Sequence, residues 1–211
     1  MNEIIRVKFA DCWIPESWVL EEGDEKKMVQ IILSVFLVKC GERNILVDAG
    51  CETMPGLKTA NFEGTVLALE ELGITSQDIT DVVITHAHHD HIECVKYFNR
   101  AVIYIQKDEY EKGEKYIPRN FSVQLFEEEC WIADGVRCVK MGGHTKGSCV
   151  VEVRCEEKNY VLCGDECYTF YNLKNKIPTA KSFCKEKSTE FIEHYGSGEY
   201  FCLLCHDAKK E

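Results

Sequence analysis

Residues 81–91 read Asp81-Val82-Val83-Ile84-Thr85-His86-Ala87-His88-His89-Asp90-His91. The first five are a short β-branched apolar run with the signature of a buried strand. Four of the chain's seven histidines follow within six positions, together with one carboxylate. Residues two apart in extended backbone point to the same side, so His86 and His88 can bind one ion together. A turn after them brings Asp90 and His91 towards a second position. Imidazole and carboxylate together suit a borderline divalent metal such as zinc. A solvated polar loop is the plain alternative, but four crowded imidazoles without a metal would repel one another on protonation.

Two or three ligands from one loop leave an ion under-coordinated, so further ligands are expected elsewhere. Three candidates stand where apolar runs end. His144 lies in Gly142-Gly143-His144-Thr145-Lys146-Gly147, Asp165 follows Leu162-Cys163-Gly164, and His206 lies in Cys205-His206-Asp207. Strand ends are where a rigid scaffold presents site residues.

Further out, residues 28–39 (MVQIILSVFLVK) and 44–47 (NILV) are strand-like and flank Gly41-Glu42-Arg43, a hairpin signal. Residues 65–72 (TVLALEEL) have helical spacing and stop at Gly73. A strand at 101–105 leads into a charged helix at 107–116. Strands at 136–141, 149–154 and 160–163, a helix at 181–195 and a strand at 200–204 complete the pattern. Two strand-rich halves with helices between strands predict an α/β protein of two packed sheets covered outside by helices. Propensity alone does not separate that from a doubly wound sheet; the metal motif does.

Composition narrows the function. Apolar residues make 45% of the 211, and Lys+Arg 25 against Asp+Glu 36 leaves a formal charge of −11, which disfavours a nucleic-acid partner. The longest nearly apolar run, residues 28–38, is broken by Gln30 and Ser34 and falls short of the about 20 residues that cross a bilayer. The N-terminus carries no export-signal pattern, so a cytoplasmic protein without membrane association is expected. Thirteen cysteines, an odd number scattered along the chain, read as reduced core thiols rather than a disulfide framework. Cys202-Leu203-Leu204-Cys205-His206 matches haem-attachment spacing, but covalent haem needs export machinery.

The pattern HxHxDH…H…D…H, carried by His86, His88, Asp90, His91, His144, Asp165 and His206, resembles the metallo-β-lactamase superfamily over nearly the whole chain. Ile45-Leu46-Val47-Asp48-Ala49-Gly50 resembles its early strand-turn, and Gly142 to Ser148 its central His loop. Within it, the N-acyl homoserine lactonase-like branch is nearest: Tyr168 stands three residues after Asp165, and Ile105 to Tyr110 is similar to that branch's strand and helix start. The resemblance implies a four-layer αββα sandwich, with residues 1–211 as a single hydrolase domain. It implies two divalent ions, zinc foremost, with iron or manganese as alternatives. His86, His88 and His144 would hold one ion, Asp90, His91 and His206 the other, and Asp165 would bridge them. Asp48 would orient a ligating histidine. His89 occupies the variable position and is not expected to ligate; His194 has no motif around it. Ile92-Glu93-Cys94 departs from the small glycines usual after the Asp-His pair. Residues 51–63 are short beside the lactonase insertion that shapes the acyl-chain pocket.

The expected reaction on a small-molecule substrate is attack by a metal-activated hydroxide on a carboxylic ester or lactone. Tyr168 would stabilise the oxyanion and Asp90 would relay the proton to the leaving group. Thioester or phosphodiester hydrolysis on the same site is the alternative. A non-catalytic metal-binding or redox protein is the reading from another class; a structural zinc needs only four ligands and no open position. Flavin-linked di-iron relatives usually carry glutamate where His88 stands, which disfavours that branch.

Overall fold

A computed structural model describes residues 2–208. Seven strands form the larger sheet: β1 (Asn2–Pro15), β2 (Met28–Cys40), β3 (Arg43–Val47), β4 (Lys58–Ala60), β5 (Asp81–Ile84), β6 (Val102–Gln106) and β7 (Ser122–Phe126). Their spatial order is β4-β1-β2-β3-β5-β6-β7. The smaller sheet contains β8 (Glu129–Ala133), β9 (Val136–Lys140), β10 (Cys149–Cys155), β11 (Lys158–Leu162) and β12 (Tyr200–Leu203), in the order β12-β11-β10-β9-β8. The helices are α1 (Glu16–Val19), α2 (Thr65–Glu70), α3 (His89–Ile92), α4 (Lys107–Gly113), α5 (Phe170–Asn175) and α6 (Lys185–Tyr195).

Side-chain alternation builds four layers. On β2, Ile31, Leu33, Val35 and Leu37 face the helix side with Leu69 of α2, whereas Phe36 and Val38 face the opposite sheet. On β5, Val82 and Ile84 join the first cluster and Val83 the second. The smaller sheet answers with Cys149, Val151 and Val153 inward and Val150 outward against Phe191, Ile192 and Tyr195 of α6. Both faces of the central strands are thus buried, which is why they read as continuous apolar runs. The architecture is an αββα sandwich.

The hairpin expected at 41–43 is present. Cys40 pairs with Arg43, and Gly41 takes φ +59°, the left-handed conformation a two-residue hairpin turn needs at its first position. Other elements lie outside the sequence-based reading. β1 pairs along nearly all of β2, but a bulge between Lys8 and Ala10 shifts its parity, so Phe9, Ala10, Asp11 and Cys12 are all buried and no alternation survives. β7 and β8 are edge strands that each fully bury only one side chain, so their apolar signal is weak. The helix expected over 181–195 starts only at Lys185. In the loop before it, Phe183 N–H donates to His144 O at 3.1 Å and Cys184 N–H to Gly143 O at 2.9 Å.

All thirteen cysteines are free, and nine are buried, so they serve as small core groups. Cys202 packs on the α6 side of the smaller sheet and Cys205 between the sheets, which separates the two thiols of the haem-like spacing. No helix among the described residues is long and apolar enough to cross a membrane.

Candidate metal centre

β3, β5 and β6 run parallel in one sheet, and β11 and β12 run parallel in the other. Their carboxyl ends meet at one edge of the sandwich. Asp48 follows β3, the histidine cluster follows β5, Asp165 follows β11, and His206 follows β12; His144 enters from the β9–β10 loop. At His88 the backbone leaves the extended region (φ −71°, ψ 152°) and closes one helical turn, α3, with His91 N–H donating to His88 O at 3.0 Å. That turn leaves the His91 ring 4.1 Å from that of His86 but brings its Nε2 to the other oxygen of Asp165.

The structure brings together all seven residues expected from the sequence, in two groups that meet at Asp165. In the first, His86 Nε2 and His144 Nε2 each lie 3.0 Å from His88 Nδ1. Asp165 Oδ2 is 3.5 Å from His86 Nε2 and 3.3 Å from His144 Nε2. In the second, Asp165 Oδ1 is 3.2 Å from His91 Nε2 and 2.9 Å from His206 Nε2. Asp90 Oδ2 lies 3.7 Å and 3.8 Å from the same two nitrogens. Zinc–ligand bonds of about 2.0–2.1 Å give a tetrahedron with edges of about 3.3 Å, so both groups have the span of an ion's ligand shell.

The outer hydrogen bonds fix which nitrogens point inward. His91 Nδ1 lies 2.7 Å from Asp48 Oδ2 and His206 Nδ1 lies 2.9 Å from Ile32 O, so both rings donate outward and turn a lone pair to the centre. Thr85 Oγ1 donates to Asp48 and accepts from His86 Nδ1 at 3.1 Å, with the same result. Asp48 reaches these partners from a left-handed backbone (φ +63°), which aspartate tolerates better than most residues. In the neutral rings of His91 and His206 these lone pairs face Asp165 Oδ1 at 3.2 Å and 2.9 Å, a repulsion that a proton or a cation between them relieves. His91 Nε2, which faces the centre, is buried without a hydrogen-bond partner. A cation resolves that conflict, and the donor set fits one at each group.

Electrostatics divides the groups. Burial drives His86 well below the ordinary imidazole value, and burial pushes His144 down to about 4. Burial works against charge on His91 as well, but Asp165, Asp48 and Asp90 outweigh it and hold that ring well above the ordinary value. His206 is likewise raised, by Cys205 and Asp165 against burial. Asp165 stays well below the usual carboxylate range because four imidazoles overcome its burial. Tyr168 is 7% exposed, with its ring 5.3 Å from that of His206 and 5.9 Å from that of His144. Burial, then Asp165 and Asp90, raises its hydroxyl well above the ordinary value, so it remains a donor.

His89 turns away, its Nε2 2.9 Å from Thr53 O, and His194 is exposed on α6. Cys205 Sγ lies within reach of the second group, 3.7 Å from Asp165 Oδ1, and donates to Gly164 O at 3.4 Å. Glu93, at the departure from small glycines, points outward: it accepts from Glu52 N–H at 2.7 Å and pairs with Lys96 at 2.5 Å. Within residues 51–63, β4 pairs with β1 at the sheet edge.

Two supporting carboxylates escaped the sequence reading. Glu166 accepts from Gly143 N–H at 3.1 Å, from His144 N–H at 3.2 Å and from Ser148 Oγ. Burial pushes it up to about 7 despite those bonds. Glu109, fully buried, accepts from Ala87 N–H and from the other side of the His144 loop. Their signal in sequence is slight: an acid beside Asp165, and an acid in the first turn of a helix that starts at the site edge.

Comparison with known proteins agrees with this geometry. The model of the metallo-β-lactamase superfamily matches residues 31–177. An N-acyl homoserine lactonase, AiiB, of Agrobacterium fabrum is 29% identical over 184 residues, covering 69% of this chain and 67% of its own. A solved N-acyl homoserine lactone hydrolase with the product N-hexanoyl-L-homoserine at its catalytic metal centre superposes with TM-score 0.85 at 21% identity, over 97% of this chain and 93% of its own. A dizinc quorum-quenching lactonase, AidC, superposes with TM-score 0.80 at 15% identity, over 98% and 88%. The αββα sandwich, the clustered histidines and aspartates at its edge and the family match over most of the sequence lead to one conclusion: this chain belongs to the metallo-β-lactamase superfamily.

Proposed function

We propose that this metal-dependent hydrolase opens lactones, with short-chain N-acyl homoserine lactones as the substrate class to test first. Asp165, whose two oxygens face two separate groups of imidazoles, carries the metal-dependent half of the reading, and the likeness to N-acyl homoserine lactonases supports the lactone half. His86, His88, His144 and Asp165 would hold one divalent ion; Asp90, His91, His206 and Asp165 would hold the other, with zinc favoured by the mixed nitrogen and oxygen donors. Two such ions supply a hydroxide nucleophile at neutral pH and a Lewis acid for the carbonyl.

The chain's own groups supply the rest. Tyr168, a protonated donor beside Asp165, would hydrogen-bond the oxygen on which charge develops when the carbonyl is attacked. Asp90, 14% exposed at the mouth of the centre, would take the proton and hand it to the leaving alkoxide of the opened ring. Residues 51–63, which read as short beside the lactonase insertion that shapes the acyl-chain pocket, fit short acyl chains better than long ones. A charge of −11 makes a nucleic-acid substrate unfavourable, and thirteen free thiols suit a reducing, cytoplasmic compartment.

A hydrolase panel on metal-loaded protein tests the substrate class. The expected order places N-acyl homoserine lactones above thioesters and phosphodiesters in kcat/KM. A thioester or phosphodiester hydrolysed at least tenfold better would overturn the assignment while leaving the metal centre intact.

A further inference from the structure

The first group of imidazoles is assembled from two segments that belong to different sheets. His86 and His88 follow β5 of the larger sheet, whereas His144 sits in the β9–β10 loop of the smaller one. One backbone bond, Cys149 N–H to Thr85 O at 2.9 Å, ties the segments at their base. Above it, the tie is the side chain of Glu109, at the third position of α4 and 0% exposed. Its Oε2 accepts from the N–H of Ala87, between His86 and His88, at 2.8 Å. Its Oε1 accepts from Thr145 Oγ1 at 2.6 Å and from Gly147 N–H at 3.0 Å, just beyond His144.

The fit is close. A Cβ at Gly147 would come within 2.2 Å of Gln106 Oε1 and 3.0 Å of Glu109 Cγ, so the loop backbone approaches α4 as only glycine permits. Glu166 grips the His144 loop alone, and the second group is oriented elsewhere, His91 by Asp48 and His206 by Ile32 O. Glu109 therefore touches both segments of the first group and none of the residues of the second.

We infer that Glu109 is a positioning residue that sets the separation of His88 from His144, and so controls affinity for the first ion without controlling the second. The inference rests on the dinuclear reading above. Charged acceptors bonded to backbone N–H groups in a buried setting hold their partners firmly, and outer partners of this kind are worth about 10–100-fold in metal affinity.

Glu109→Gln keeps the shape but replaces one oxygen with an NH₂ group. Whichever way the amide turns, that group faces Ala87 N–H or the Thr145 and Gly147 donors. Chelator competition on zinc-loaded and cobalt-loaded protein reads the two binding steps separately, with His88→Ala and His206→Ala marking the first and second ions. Glu109→Gln should weaken the step that His88→Ala removes by about 10–100-fold and leave the other within about twofold. Thr145→Val, which deletes one donor and leaves Glu109 in place, should weaken the same step by several-fold and carries the test if Glu109→Gln fails to fold. Both steps weakened equally, or neither weakened in either variant, would overturn the inference. Parent protein that binds fewer than two ions would instead remove the dinuclear reading, and the clamp with it.

Discussion

Asp165→Asn separates a shared ligand from a mere neighbour. Each candidate ion has four protein donors, and Asp165 supplies one to each through a different oxygen. Structural zinc sites of four ligands bind with about 10–16 kcal/mol, so one ligand is worth roughly 3–4 kcal/mol, or about 10²–10³ in affinity. Asparagine keeps one carbonyl oxygen and replaces the other with NH₂, which donates and does not ligate. Either amide orientation leaves one group complete in number and the other a ligand short. The structure therefore predicts loss of one ion, not two, with the residual site also weakened by the lost charge. The assay is elemental analysis after equilibration against a zinc buffer, with circular dichroism as the fold control. Two ions bound at parental affinity in a folded Asp165→Asn protein would refute the bridging role.

The remaining predictions concern catalysis, acid and backbone. Tyr168→Phe should lower kcat by about 10–10³ on the best lactone with metal content unchanged, read by steady-state kinetics beside elemental analysis; equal kcat would remove the oxyanion role. His91 and His206 are held above the ordinary imidazole value while His86 and His144 lie below it, so falling pH protonates the second group first. Because only unprotonated imidazole ligates, the second ion should leave at higher pH than the first, seen as a two-step loss of metal on acidification; a single step releasing both ions would contradict the division. Gly50→Ala combines a left-handed φ of +71° with a Cβ only 1.8 Å from the buried Thr65 Oγ1, so thermal melts should show a loss of about 2–4 kcal/mol. A melting curve matching the parent would show that the turn after β3 relaxes freely.

The legible parts of the molecule were those with a local signature. The buried strands β2, β5 and β10 announced themselves as apolar runs, and His86, His88, Asp90 and His91 as a spaced cluster at a strand end. His144, Asp165 and His206 were found because each ends an apolar run. β1 stayed hidden because its bulge breaks the two-residue period, and β7 and β8 because edge strands bury little. Glu109, Glu166 and the Ile32 carbonyl act through backbone donors and acceptors 22, 22 and 174 residues away, contacts with no periodicity to read.

The most direct measurement is a zinc titration of lactone opening. Metal-free chain receives zero to three equivalents of zinc while hydrolysis of a short-chain N-acyl homoserine lactone is followed by proton release. The dinuclear account predicts negligible activity without metal and a rise to a plateau at two equivalents. Ring opening by the metal-free chain, or no ring opening at any loading of a folded protein that binds two ions, would contradict it.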